Sequence, residues 1–309
     1  MGKSYRKFGW EAIFVENDDP DAFRDVVSEK TRAIFVESLA NPGGVVVDLE
    51  AIARVAEEAQ VPLIVDNTMA TPWVCRPFEW GADLVVHSTT KFLSGQGNAM
   101  GGIVIDSGRF PWLANMKYPS LSEPCPDYNG LTFAETFGDL AFTLYSHAVS
   151  LRDLGCSQSP MNAWITMNGV ETLPLRMERH IDNAMDVARF LQGHNAVEWV
   201  SYAGLPSSPY HKLSKKYLGG KAGSVFTFGV RGGYESGLQI LEHVELFSHV
   251  SNIGDTRSLI LHPASTTHRQ LNEEQLLAAG AGPEVIRLSI GLECSADLIA
   301  DLDQALARL

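Results

Sequence analysis

The sequence is short of the residues that mark several common chemistries. Its four cysteines (Cys75, Cys125, Cys156 and Cys294) lie far apart and form no CxxC. That argues against a disulfide framework or a thiolate zinc site and leaves free thiols in a reducing compartment. No apolar run approaches the roughly 18 residues that a membrane span needs. The basic N-terminus MGKSYRKFGWEAIF has no apolar signal core or cleavage site. Residue 6 is Arg, so Met1-Gly2 does not open a myristoylation motif. Positive charge is also scarce: 24 Lys and Arg face 37 Asp and Glu, a net −13. That balance argues against nucleic acid or an acidic membrane as a general partner, and the chain reads as cytoplasmic. HExxH, GxSxG, a Gly-Lys-Ser/Thr phosphate loop and a GxGxxG between strand and helix are all missing. His262 and His268 are wrongly spaced for one helix face and the other histidines are scattered, so no metal is expected.

What is present is an ordinary globular composition, 45% hydrophobic and 20% charged over 309 residues, long enough for a sizeable core. The informative stretch runs from Val61 to Asp106. Pro62-Leu63-Ile64-Val65 and Leu84-Val85-Val86 are short, β-branched and ended by polar residues, as buried parallel strands are. Asp66 closes the first. His87-Ser88-Thr89-Thr90-Lys91 follows the second, then a glycine-rich segment and a third apolar run, Ile103-Val104-Ile105. Ligands of open α/β sheets collect at the carboxyl ends of strands. This edge would carry a carboxylate, hydroxyls and one lysine, the groups a pyridoxal phosphate (PLP) enzyme needs.

Before that stretch, Gly9–Val15 and Arg32–Glu37 read as strands. Asp18–Ser28 reads as a helix capped by Asp18 or Asp19, and Leu49–Gln60 as a helix started by Asp48 and facing inward through Leu49, Ile52, Ala53 and Ala56. The alternation β-α-β-α-β implies parallel strands with right-handed crossovers. Trp112–Gly130, with several prolines, reads as a long loop, and Phe133–Leu154 returns to helical spacing. A long amphipathic pattern runs from Met161 to Gln192 and stops at Gly193, with Pro174 marking a kink or a junction of two helices. Beyond it, Val197–Val200, Ser224–Val230 and Ile286–Ile290 read as strands, and Gly237–Phe247 and Ala296–Leu309 as helices. The expected architecture is an α/β fold with a mostly parallel sheet and a smaller C-terminal α/β domain. Residues 1–165 would form the large domain, and 166–309 the linking helix and the small one.

Each candidate residue has two readings. Lys91 on a glycine-flanked loop is either solvated or a Schiff-base lysine activated by its surroundings. Asp66 either makes an Asx-turn with Asn67 or is a carboxylate that meets a cation, as the protonated pyridine nitrogen of PLP would be. Ser88 and Thr90 either shape a turn or offer hydroxyls to a phosphate. Gly95, Gly97, Gly101 and Gly102 allow close backbone approach. Asn41-Pro42 reads as a turn. Arg287, in an apolar strand, needs an acid: either one of the protein's own or a ligand's carboxylate.

These residues and the segments ESLANPGGVVVDLEAIA, VDNTMATPW, GADLVVHSTTKFLSGQG, LRDLGCSQSPMNAW, GVETLPLRMERH, LFSHVSNIGDTRSLILHPASTTH and IRLSIGLE resemble the Cys/Met-metabolism family of PLP-dependent enzymes. Its members have fold type I, the aspartate aminotransferase-like fold. Within the family the resemblance is to the O-acetylhomoserine sulfhydrylase branch. It implies that Lys91 holds PLP and moves protons, Asp66 pairs with the pyridine nitrogen, Ser88 and Thr90 bind the phosphate, and Asn41 and Arg287 hold the substrate carboxylate. Asn252 falls where relatives place a polar residue near the substrate. The implied reaction is γ-replacement on O-acetyl-L-homoserine by sulfide or a small thiol, in a homo-oligomer, a dimer or a tetramer. Cystathionine γ-synthase, cystathionine γ-lyase and methionine γ-lyase chemistry are the alternatives within the family, and an inactive fragment is the alternative outside it. The resemblance also implies a further stretch before SYRKFGW, bearing a glycine-rich phosphate turn, a ring-stacking aromatic residue and a Tyr/Arg pair that reaches a neighbouring subunit. The sequence does not contain it.

Overall fold

The computed structural model describes residues 5–15, 19–42 and 44–309. The first helix, α1 (Pro20–Val26), is capped by Asp19, whose carboxylate accepts from the Asp21 N–H at 3.0 Å, with Pro20 at its first position. Asp18, the other expected cap, lies outside the described residues. Strand β1 (Ile34–Glu37) leads to α2 (Leu49–Glu58), started by the Asp48 side chain bonding the Ala51 N–H at 3.1 Å. This helix buries Leu49, Ile52, Val55 and Ala56; Ala53 is only partly covered. Strands β2 (Leu63–Asp66), β3 (Leu84–Ser88) and β4 (Gly102–Asp106) complete a sheet of order β1-β2-β3-β4.

The three runs β1, β2 and β3 pair in parallel, as their apolar composition predicts. The third apolar run of the central stretch, β4, returns antiparallel, Val86 opposite Val104. Its short glycine-rich connection from β3 carries no crossover helix of the kind that a parallel return needs. The strand expected at Gly9–Val15 does not form. Trp10, Ile13 and Phe14 are exposed there, and among the described residues no strand pairs with them to form a ladder.

The proline-rich stretch is not wholly irregular. It contains a short helix, Pro119–Ser122, and with the segmented helical turns of 133–154 it closes a small apolar cluster around Phe110, Trp112, Leu121, Phe133 and Ala141. Two helices then follow as the Pro174 signal suggests: α3 (Pro160–Glu171) and α4 (Leu173–Gly193) meet at Thr172.

The second sheet takes β5 (Val197–Ser201), β6 (Val225–Val230), β7 (Ser248–His249), β8 (Leu259–Leu261) and β9 (Val285–Ser289) in the order β5-β6-β9-β8-β7. Only β7 and β8 run parallel. It carries α5 (His211–Leu218), α6 (Gly233–His243) and α7 (Ser295–Leu306). Helix α6 ends four residues before the apolar pattern does. The Asp301 carboxylate accepts from the N–H groups of Glu245, Leu246 and Phe247, which a continuing helix would have bonded internally. One continuous apolar cluster joins both sheets, with Met177, Ile181, Ala184, Val187 and Leu191 of α4 buried between them. Among the described residues, no helix is long and apolar enough to cross a membrane.

Candidate active site

Six polar residues from distant parts of the chain meet where β2 and β3 end and β9 passes by. Lys91 sits in a five-residue π-helical turn, Thr89–Leu93, directly after β3, and its own backbone angles are non-helical. Its Nζ donates to Oδ1 of Asn252. The Asn252 carbonyl accepts from Nη2 of Arg287 at 3.2 Å, and Nη1 of Arg287 reaches Oδ1 of Asn41 at 3.4 Å. The Asn41 N–H in turn donates to Oε2 of Glu37 at 2.9 Å, and Glu37 sits beside Asp66 across the β1/β2 ladder. Thus the amine, two asparagines, the guanidinium and two strand-end carboxylates form one string.

The electrostatics of this string are unusual. Burial lowers the Lys91 ammonium below the ordinary lysine value, and the Arg287 charge pushes it the same way. Lowering favours the free amine, the nucleophilic form. Arg287 is itself lowered by burial. It makes no ion pair among the described residues: its bonds go to Asn41, Ser251 and Asn252. The reading in which one of the protein's own acids satisfies it is therefore not what the structure holds. A part-buried guanidinium bonded only to neutral oxygens keeps its charge available for a carboxylate ligand. Glu37 is raised, first by burial and further by the Asp66 charge.

Asp66 does make the Asx-type bond expected of a strand end, its Oδ1 accepting from the Thr68 N–H at 2.9 Å. Its other oxygen has no partner among the described residues, so the turn and a cationic ligand are compatible. Thr68 extends the brace, its Oγ1 accepting from the Ser88 N–H at 2.8 Å and tying the ends of β2 and β3 together. The hydroxyl of Ser88 makes no bond among the described residues. Thr90 is committed elsewhere: its Oγ1 accepts from the Gly101 N–H at 3.1 Å and donates to the Gly101 carbonyl at 3.3 Å. Of the seven residues singled out in the sequence, the structure links Lys91, Asn252, Arg287 and Asn41 in a string that ends beside Asp66. Ser88 and Thr90 lie on the Lys91 approach.

Sequence reasoning missed Glu37 and Thr68. Each is a polar residue placed at or just after an apolar strand, the same signal that picked out Asp66. The glycines are used for contact as well as turning. A Cβ on Gly97 would lie 2.6 Å from Nδ2 of Asn252, and one on Gly254 would lie 2.7 Å from the Phe92 nitrogen. Among the described residues no cluster of His, Cys, Asp and Glu could hold a metal ion.

The donor set, one amine, a strand-end carboxylate with a free oxygen, hydroxyls on the amine's approach and an acid-free guanidinium, fits PLP and an amino-acid substrate. The family model for Cys/Met metabolism PLP-dependent enzymes matches residues 1–307. The chain belongs to that family. An O-acetyl-L-homoserine sulfhydrylase of Leptospira meyeri is 46% identical over 99% of this chain and 71% of its own length. O-acetyl-L-homoserine sulfhydrylase 1 of Thermus thermophilus is also 46% identical, over 98% of this chain and 72% of its own. A solved structure from Campylobacter jejuni, assigned as an O-acetylhomoserine (thiol)-lyase and carrying N'-pyridoxyl-lysine-5'-monophosphate, superposes with a TM-score of 0.95. It is 42% identical, and the match covers 99% of this chain and 73% of that one. The fold is that of the family's PLP-dependent enzymes, and PLP is the family's cofactor.

Proposed function

We propose that the chain catalyses γ-replacement on O-acetyl-L-homoserine, exchanging acetate for sulfide or a small thiol to give homocysteine or methionine. The observation that carries it is the Lys91 amine, lowered by burial and bonded to Asn252, beside an arginine that has no acid of its own. Relatives at 46% identity named O-acetyl-L-homoserine sulfhydrylase support the substrate.

When bound, PLP supplies an electron sink next to the substrate's α carbon. The protein's residues do the rest. Lys91 would hold the cofactor, and its amine, when free, would move protons at the substrate's α and β carbons. Asn252 accepts from its Nζ and so aims it. Arg287 and Asn41 would grip the α-carboxylate and so fix the orientation of the α, β and γ carbons. Asp66 would hold the protonated ring nitrogen with the oxygen that Thr68 leaves free. Ser88 would bond the phosphate, joined by Thr90 if its hydroxyl turns from Gly101. The same reading assigns residues 1–165 to the cofactor-holding large domain and 166–309 to the linking helix and the small domain, with the substrate carboxylate held from both, by Asn41 and Arg287.

We read the protein as having no nucleic acid or membrane partner and as a homo-oligomer of the cytoplasm. Its acidic charge supports the first point. Helix α3 supports the second: it buries none of its residues, and Met161, Trp164 and Met167 are each 60% or more exposed. The test is an assay of the purified chain with PLP, O-acetyl-L-homoserine and sulfide, against the same amino acid alone and against Lys91→Ala. Thiol-dependent homocysteine formation lost in Lys91→Ala is the expected result. Elimination without a thiol would favour a lyase, and activity retained by Lys91→Ala would sink the reading.

A further inference from the structure

The turn that carries Lys91 ends abruptly, and its carbonyl groups can be accounted for one by one. The Thr89 carbonyl accepts from the Ser94 N–H at 3.1 Å, and the Lys91 carbonyl from the Gly95 N–H at 2.8 Å. The Ser94 hydroxyl covers the Thr90 carbonyl at 3.2 Å. Gly95, at φ +81°, then turns the chain away, so no later N–H arrives for Phe92 and Leu93. Both carbonyls are instead taken by one side chain. Arg176 donates from Nη1 to the Phe92 carbonyl at 2.8 Å and from Nη2 to the Leu93 carbonyl at 3.4 Å. Its Nη2 also reaches the Gly169 carbonyl at the end of α3 (2.7 Å), and its Nε the Thr172 hydroxyl (3.1 Å).

Arg176 makes no ion pair among the described residues, and every contact given is to a neutral oxygen. The glycines around it are shaped to admit it. A Cβ on Gly95 would sit 2.5 Å from Nη1, and one on Gly169 would sit 2.2 Å from the Leu93 carbonyl oxygen. One helical turn along α4, the His180 ring stands edge-on to Phe92 at 5.4 Å. The lysine turn is thus contacted by Arg176 and His180 of α4, by Gly254, which packs on the Phe92 backbone and ring, and by Asn252.

We propose that Arg176 is the positioning residue for Lys91: its guanidinium replaces the missing helical turn after Leu93 and so sets where the amine points. This rests on the reading of Lys91 as the reactive lysine. The fork serves the Phe92 and Gly169 carbonyls from two separate nitrogens, Nη1 and Nη2, where a lysine would offer a single one.

The test uses the full chain with Arg176→Ala, Arg176→Lys and, as control, Lys91→Ala. It measures how fast PLP is trapped on Lys91 by borohydride, read by peptide mapping, and how acylation of Lys91 in the cofactor-free protein depends on pH. Trapping at Lys91 should slow roughly tenfold or more in Arg176→Ala, because a misplaced group loses reactivity steeply with distance. Added guanidinium should restore part of that rate, and labelling of the exposed Lys30 should not change. Arg176→Lys should be intermediate, with kcat falling while KM for the amino acid holds. It carries the test if Arg176→Ala does not fold. Folded variants that trap PLP at the parental rate with an unchanged pH profile, and only a lower melting temperature, would overturn the proposal. Equal trapping elsewhere in Lys91→Ala would overturn the reading beneath it.

Discussion

At the scale of one residue, the proposed division between binding and chemistry turns on Arg287. Its fork is held in place by two backbone carbonyls and the Asn41 amide, none of which neutralises it. A lysine there would keep the charge but lose the bidentate geometry, at a cost of about 1.5–3 kcal/mol for a charged hydrogen bond. Steady-state kinetics of Arg287→Lys should therefore show KM for the amino-acid substrate raised roughly 10- to 100-fold with kcat changed much less. A loss confined to kcat would remove Arg287 from the carboxylate grip. These single residues were legible in sequence because each breaks its local pattern: a lysine among glycines, an acid after an apolar strand, an arginine inside one. Asn41 and Asn252 were not legible in that way. Their roles depend on partners far away in the chain, and only the resemblance to a family pointed to them. Arg176 went unnoticed because an arginine on an amphipathic helix breaks no rule.

At the scale of elements, α3 and the lysine turn touch backbone to backbone at Gly169. Exchanging a helical glycine for alanine ordinarily gains about 1 kcal/mol. Here the added methyl would press on the Leu93 and Ser94 carbonyl oxygens, at 2.2 and 2.7 Å. Overpacking of this kind costs about 1–3 kcal/mol, so the sign should reverse. Urea unfolding of Gly169→Ala should give a lower midpoint than the parent; an equal or higher one would mean that the helix and the turn do not meet this way. Most elements were readable from periodicity, including the break between α3 and α4 at Pro174. The errors have a common cause. The strand expected at Gly9–Val15 and the last turn expected of α6, whose helix lies four residues earlier, both had the right local pattern, but the first has no neighbour among the described strands and the second loses its N–H groups to Asp301. The antiparallel direction of β4 likewise follows from its connection, not its composition.

At the scale of the whole molecule, His180 joins the halves. It is fully buried, bonds the Ile290 carbonyl through Nδ1 at 2.7 Å, and leaves Nε2 unpartnered. Burial pushes it down to about 4, helped by the Arg176 charge, while the Ile290 bond and Asp255 act the other way. A histidine held below its unfolded value of 6.5 contributes stability that is fully present above pH 6.5 and lost as pH falls towards 4. The loss is about 3 kcal/mol at about 1.4 kcal/mol per unit. His180→Gln, which keeps a donor for Ile290, should lose less stability than the parent between pH 7 and pH 4 in denaturant titrations. Parallel curves would show that His180 is not held neutral.

The string from Lys91 to Glu37 has one more consequence. Its bond between Arg287 and Asn41 joins residues 246 positions apart in the chain. The instructions for the site are therefore not stored in any contiguous stretch. A fragment ending before β9 would keep the amine but lose the guanidinium, and one starting after β3 would keep the guanidinium but lose the amine.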